Sequence, residues 1–365
     1  MFKQAAIYNF KTFKKLENIQ FDKITLIGGK NNSGKSSLLE SLFFYLDRTN
    51  PNILNRSLSL RGMPDPLVYT FPMGSIGSPM GSPFFCDFDT SKEISIEVSE
   101  EVSKDTISGR LTLEYQKGYF PLQQTIMTIP YSSPIHYTAS DEFGALSIKH
   151  TFGDNADFQA RWIFNEKGLN YQPIMDTSVL SKPYFIFISR NISDAFDAER
   201  LGLLDVAGEQ DVILDLLRVF EPKLKRLLLV QVGPQSVIHA VIENKKAVPL
   251  YLMGDGFCRC LSIILVLATF KNGILLLDEI ENGVHYSIQN SLWQAIIKAV
   301  AKFNCQLIAT THSFEMISAF SKSAAHEGFK DVSYTRLEKE KDSHRAYYFP
   351  LDDLSDTLSY EMELR

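Results

Sequence analysis

Cysteine is scarce in this 365-residue chain: Cys86, Cys258, Cys260 and Cys305 are its four, and they form no even framework. That excludes a disulfide-stapled secreted domain and fits a reducing interior. Cys258 and Cys260 suggest a metal site, but no second pair lies near them, and two small residues in a packed helix is the better reading. Basic charge is not in excess either. The formal net charge is −6, which argues against a protein that coats nucleic acid through charge alone, although a local basic patch is compatible with it. No apolar run reaches the ~20 residues that a membrane-spanning helix needs, and the N-terminal MFKQAAIYNFKTFKK lacks a signal-peptide core. These absences predict a cytoplasmic protein with no membrane partner. What remains is ordinary for a globular chain, with 45% hydrophobic and 22% charged residues.

One stretch is not ordinary. Residues 28–40 read GGKNNSGKSSLLE, between the apolar run ITLI and an apolar helix pattern. Gly29-Lys30-Asn31-Asn32-Ser33-Gly34-Lys35-Ser36 fits G-x-x-x-x-G-K-[ST], the phosphate-binding P-loop, and Ser37 follows it. Glycine lets the backbone turn so that several N–H groups point at one anion. The helix starting near Lys35 adds the positive end of its dipole. Lys35 can then reach the β- and γ-phosphates of ATP, and the Ser36 hydroxyl can ligate Mg²⁺.

Two further strand ends carry chemistry. Residues 274–283 read ILLLDEIENG: a doubly buried strand tipped by two acids. Asp278 suits the Mg²⁺ shell, and Glu279, pointing elsewhere, suits the polarisation of an attacking water. Residues 306–313, QLIATTHS, form another apolar strand ending in polar groups. Ligands of doubly wound sheets sit outside the carboxyl ends of strands, which places His312 near the γ-phosphate.

The order P-loop, DE-tipped strand, TTHS resembles the ABC-type ATPase heads of the RecF, SMC and OLD group, especially the compact AAA-family ATPases of prokaryotic defence loci. Ile7–Lys14 resembles their opening strand, and DEIENGVHYS resembles their Walker B motif with the D-loop behind it. The resemblance implies that His312 is the switch residue. It also implies a signature loop that caps the nucleotide of a second subunit. The candidate is Leu252-Met253-Gly254-Asp255-Gly256-Phe257, which departs from LSGGQ because Met253 stands where serine would contact the γ-phosphate. Gly254 and the helix start behind it can still offer N–H groups; a plain Asp255 N-cap is the alternative. No convincing metal-sensing glutamine is found: Gln123 and Gln124 lie in a strand-like run, and 51–86 reads as a long loop.

The expected fold class is α/β: an ABC-ATPase head, with a P-loop parallel-sheet core, an antiparallel β side sheet from 93 to 172, and a short helical insertion at 193–226 without heptads. Lys223 to Arg226 reads as a solvated helix face. The domains expected are an N-terminal lobe, 1–185, and a C-terminal lobe, 186–365. The function expected is an ATP-gated switch: a homodimer or higher oligomer formed through an ATP sandwich, controlling a separately encoded effector (nuclease or toxin) in antiviral defence. The alternative is a DNA-binding ATPase of repair or recombination. Asp352, Asp353 and Asp356 read as a surface turn or helix cap rather than as a second catalytic cluster.

Overall fold

A computed structural model describes residues 1–60, 81–102, 105–118, 143–165, 168–176, 184–187, 194–341 and 343–359. The chain forms two compact units that alternate along the sequence. The first holds Met1–Gln20, Asn32–Leu180 and Glu338–Ala346; the second holds Phe21–Asn31, Ser181–Leu337 and Tyr347–Arg365.

The first unit carries a seven-stranded antiparallel sheet. Its strands are β1 (Phe2–Phe10), β2 (Phe13–Gln20), β4 (Ile94–Val102), β5 (Asp105–Gly118), β6 (Phe143–Phe152), β7 (Asn155–Asn165) and β8 (Gly168–Asp176), in the order β2-β1-β4-β5-β6-β7-β8. Helix α1 (Lys35–Leu46) is buried along nearly all its length, including the polar Lys35, Ser37, Glu40 and Ser41 of its first half, while its second half, LFFYL, is apolar apart from the tyrosine hydroxyl. Leu42, Phe43 and Phe44 of α1 share the core with Phe2, Ile7 and Phe10 of β1. Phe44 meets the rings of Phe10 and Phe84 edge-on, at 5.9 and 5.1 Å. The stretch expected as one long loop contains a short helix, α2 (Ile53–Ser59), near which the Trp162 indole donates to the Pro51 carbonyl at 2.9 Å. Residues 61–80, and Gln123 and Gln124, lie outside the described residues.

The second unit is built on a six-stranded sheet in the order β16-β15-β3-β14-β13-β9, from β3 (Ile24–Gly28), β9 (Tyr184–Phe187), β13 (Ile274–Leu277), β14 (Gln306–Thr310), β15 (Val332–Glu340) and β16 (Ser343–Pro350). The five strands from β15 to β9 run parallel. Every residue of β3, β13 and β14 is buried, as the uninterrupted apolar runs require of a sheet covered on both faces. Pairing of Leu277 with Ala309, and of Thr310 with Ile27, puts the carboxyl ends of these three strands side by side. Helices α5 (Asp255–Thr269), α6 (Gln289–Phe303) and α7 (Phe314–Glu327) supply much of the core, with the rings of Trp293 and Phe320 4.6 Å apart and tilted by 46°. Helix α8 (Leu351–Ser359) takes Asp352 and Asp353 into its first turn.

The insertion is only partly helical. Helices α3 (Asp194–Val206) and α4 (Gln210–Leu217) appear as expected, but EPKLKRLLL does not continue them. Leu224–Val232 is strand β10, in a small sheet with β11 (Gln235–Ile242) and β12 (Val248–Pro249). Lys225 and Arg226 are therefore exposed strand residues, not a helix face, and Lys225 pairs with Glu243 at 2.8 Å.

Candidate functional site

The loop leaving β3 turns back on itself through three residues of positive φ, Gly29 (132°), Asn32 (62°) and Gly34 (96°). The chain passes from the second unit to the first inside this loop, between Asn31 and Asn32. In the second unit, a Cβ on Gly28 would lie 2.1 Å from the Tyr334 hydroxyl oxygen, so only glycine fits there. In the first unit, a Cβ on Gly34 would lie 2.6 Å from the Phe13 ring. Helix α1 then opens at Lys35 with no side-chain cap and no acid in its first turn. The positive end of its dipole thus meets no side-chain carboxylate of that turn. Ser33, Lys35 and Ser37 are buried, and the Lys35 ammonium donates to the Ser33 hydroxyl at 3.5 Å.

The second unit gathers the two acids and the histidine at adjacent strand ends. Asp278 is buried, and its Oδ1 accepts the hydroxyl hydrogen of Thr310. The same hydroxyl accepts the Glu279 N–H at 2.9 Å. Glu279 holds a φ of 47°, a left-handed backbone that costs a non-glycine residue about 1–3 kcal/mol. One carboxylate oxygen, Oε2, accepts from Asn282 Nδ2 at 2.7 Å; the other, Oε1, lies 3.9 Å from His312 Nε2. The His312 backbone N–H donates to Glu281 Oε1 at 2.6 Å.

Arg259, on α5, extends Nη2 to the carbonyl oxygens of Asp278 and Glu279, both at 3.4 Å. Burial pushes its pKa down, while Glu281, Glu279 and Asp278 oppose that shift. Arg259, Glu281 and Asn282 were not legible as site residues; the acid and amide directly behind DEI draw notice to Glu281 and Asn282 without giving their roles, and no sequence signal singles out Arg259.

The candidate signature loop lies in the same unit. Leu250–Leu252 is a 3₁₀ turn, Met253 packs partly against the core, and Gly254 (φ 92°) precedes the first helical residue, Asp255. Asp255 is therefore not the N-cap of α5; it sits in the first turn, where the helix dipole favours an acid. A Cβ on Gly254 would meet nothing within 4 Å, so there is open space at this point of the loop. A Cβ on Gly283 would lie 3.4 Å from that of Asp255, so the candidate signature loop and the loop behind Glu279 lie close together.

Each unit taken by itself offers an oxygen donor of the kind a hard divalent cation takes: the buried Asp278 carboxylate in the second, and the Ser36 hydroxyl at the start of α1 in the first. A carboxylate is costly to bury without a cation or strong donors nearby.

Comparison with known proteins gives the family and the fold. The family described as "AAA domain, putative AbiEii toxin, Type IV TA system" matches residues 24–318. A Helicobacter pylori protein described as an ATP/GTP phosphatase is 24% identical, over 95% of this chain and 96% of that one. An uncharacterised protein of Methanocaldococcus jannaschii is 38% identical over 89 residues, 24% of this chain and 78% of its own. Among solved structures, an SMC head bound to the C-terminal winged-helix domain of ScpA superposes with a TM-score of 0.52 at 14% identity, covering 97% of this chain and 99% of that one. The glycine-turned loop before α1 and the acid-tipped strand beside Thr310 thus fall inside a match spanning most of the chain, which shares its fold with an SMC head and belongs to this family of AAA domains.

Proposed function

We propose that the chain binds ATP with Mg²⁺, hydrolyses it between two head-to-tail copies, and uses the cycle of closing and opening to control a separately encoded effector protein. The observation that carries this is the placement of Glu279: a carboxylate just past a strand tip, on a left-handed backbone and 3.9 Å from His312 Nε2. In this reading Glu279 accepts the proton of the attacking water, and His312 donates to the γ-phosphate. Gly29, Asn31, Asn32, Ser33, Gly34, Lys35 and Ser37 bind the phosphates. Ser36 and Asp278 hold Mg²⁺, which when bound neutralises phosphate charge. Met253, Gly254 and Asp255 face the nucleotide of the second copy. The Helicobacter pylori relative, described as a phosphatase of ATP and GTP, supports hydrolysis. A defence setting for the effector rests on the family description, and a protein effector suits the net charge of −6 better than naked DNA does.

The test is Glu279→Gln in the purified full chain. The amide keeps size and loses basicity, so turnover should fall by ~10²–10⁴-fold while ATP binding persists. Light scattering should then find dimers accumulating with ATP. Wild-type turnover in this variant removes Glu279 from the mechanism; dimers that ignore ATP remove the gate.

A further inference from the structure

A glutamate that must accept a proton from water needs a fixed carboxylate, because a general base acts only within hydrogen-bond reach, ~2.6–3.2 Å, of the proton it takes. The Glu279 side chain is about one-third exposed, at 31%, and surrounding packing alone does not lock its terminal torsion. Its hydrogen bond from Asn282 does. A carboxylate can only accept, so the Asn282 amide must present its NH₂ to Oε2 and its carbonyl elsewhere. This leaves Oε1 on the side of His312.

The perch of Asn282 is itself fixed from several directions. Its N–H donates to the Glu279 carbonyl at 3.0 Å and the Val284 N–H donates to Glu281 at 2.9 Å, closing a tight turn. Glu281, the preceding residue, holds the His312 N–H at 2.6 Å. Its other oxygen, Oε2, is buried without a hydrogen-bond partner, as is Nε of Arg259, the cation whose Nη2 reaches the carbonyls of Asp278 and Glu279. Gly283, the next residue, rests against Asp255 of the signature loop.

We infer that Asn282 is a positioning residue for hydrolysis: it fixes the Glu279 carboxylate relative to His312, from a turn anchored on Glu281 and seated against the signature loop. The inference rests on the reading of Glu279 as the base, and the two fail separately.

The experiment compares steady-state ATP hydrolysis and fluorescent-ATP binding for the full-length chain, Asn282→Ala, Asn282→Asp, Glu279→Gln and the double variant Asn282→Ala/Glu279→Gln. Loss of positioning by about 1 Å costs on the order of 10²-fold, so Asn282→Ala should lower kcat by roughly 10- to 100-fold with KM and ATP affinity unchanged. Asn282→Asp keeps the size and the turn but replaces the donor by an acceptor, and should be at least as slow. It also serves should Asn282→Ala fold poorly. The double variant should be no slower than Glu279→Gln alone, because Asn282 acts only through that carboxylate. An unchanged kcat in Asn282→Asp, a raised KM, or losses that multiply in the double variant would overturn the inference. If Glu279→Gln itself turns over normally, the reading of the base fails instead.

Discussion

The Lys11 ammonium lies 2.6 Å from the Glu40 carboxylate, and the Glu40 side chain is completely shielded from solvent. Lys11 stands in the turn between β1 and β2 at a φ of 50°, and Glu40 lies in α1, one and a half turns beyond Lys35. The pair therefore ties the β1–β2 turn, with Phe13 just behind it, to the helix that opens the phosphate loop. Breaking a buried pair from one side leaves a charge uncompensated and costs about 3–5 kcal/mol, whereas replacing both partners by apolar groups is often neutral. Lys11→Ala should destabilise the first unit by that amount, and Lys11→Met with Glu40→Met should recover most of it. Urea unfolding of the three proteins measures this; equal stability of Lys11→Ala and wild type would reduce the pair to a surface contact.

Gly34 and Lys35 should fail differently. Lys35→Ala removes a charge directed at phosphate and should nearly abolish ATP binding while leaving the fold intact. Gly34→Ala keeps that charge but demands a Cβ 2.6 Å from the Phe13 ring at a φ of 96°. It should lose both ATP affinity and thermal stability. Isothermal titration with ATP and thermal melting separate the two; micromolar affinity in Lys35→Ala would remove the phosphate role of this loop.

The parallel core was legible because ITLI, ILLL and QLIAT each bury every residue, a pattern few structures other than a doubly covered strand produce. Their strand ends followed, since residues after a buried strand must emerge at one edge. Strand β10 was not legible for a specific reason. Its register shifts between Leu224 and Arg226, so Leu224 and Leu227 both face inward although they stand three apart, a helical spacing made by a bulge. The role of Asn282 was hidden too. It depends on the left-handed backbone of Glu279, which the letters DEIEN do not announce.

His150 gives the first unit a pH dependence of known sign. It is fully buried on β6 and bonded through Nδ1 to Asp157, with Tyr45 edge-on at 5.0 Å. Burial, helped by the Arg48 charge, holds its pKa well below the usual 6.5, against the opposing pull of Asp157. The ring is thus neutral in the fold, and the unfolded chain binds the extra proton first. Stability contributed here is complete above pH 6.5 and is lost as pH falls below it. Melting temperature should drop more between pH 7 and pH 5 for wild type than for His150→Phe, whose ring cannot titrate. Parallel curves for the two proteins would show that His150 is not the sensor.

The signature loop should act in trans. Gly254 has nothing within 4 Å of its missing Cβ, so an arginine there has room within its own subunit, but φ 92° and ψ 148° strain any residue except glycine by about 1–3 kcal/mol, and thermal melting must first show that the variant folds. In the proposed dimer the same side chain would occupy the place of the second copy's nucleotide. Gly254→Arg should therefore bind ATP through its own phosphate loop and fail to hydrolyse it. Lys35→Ala should fail in the opposite half, binding no ATP but presenting an intact signature loop. Mixed one to one, the two inactive proteins form some heterodimers in which one nucleotide site has both intact parts, so ATPase activity should reappear, at no more than a quarter of the wild-type rate. That ceiling follows from random pairing: half of the dimers are mixed, and each has one working site of two. Full activity in Gly254→Arg alone would mean that hydrolysis needs no second subunit at this loop. An inactive mixture whose heterodimers are demonstrated by native mass spectrometry would mean that one site cannot fire without the other.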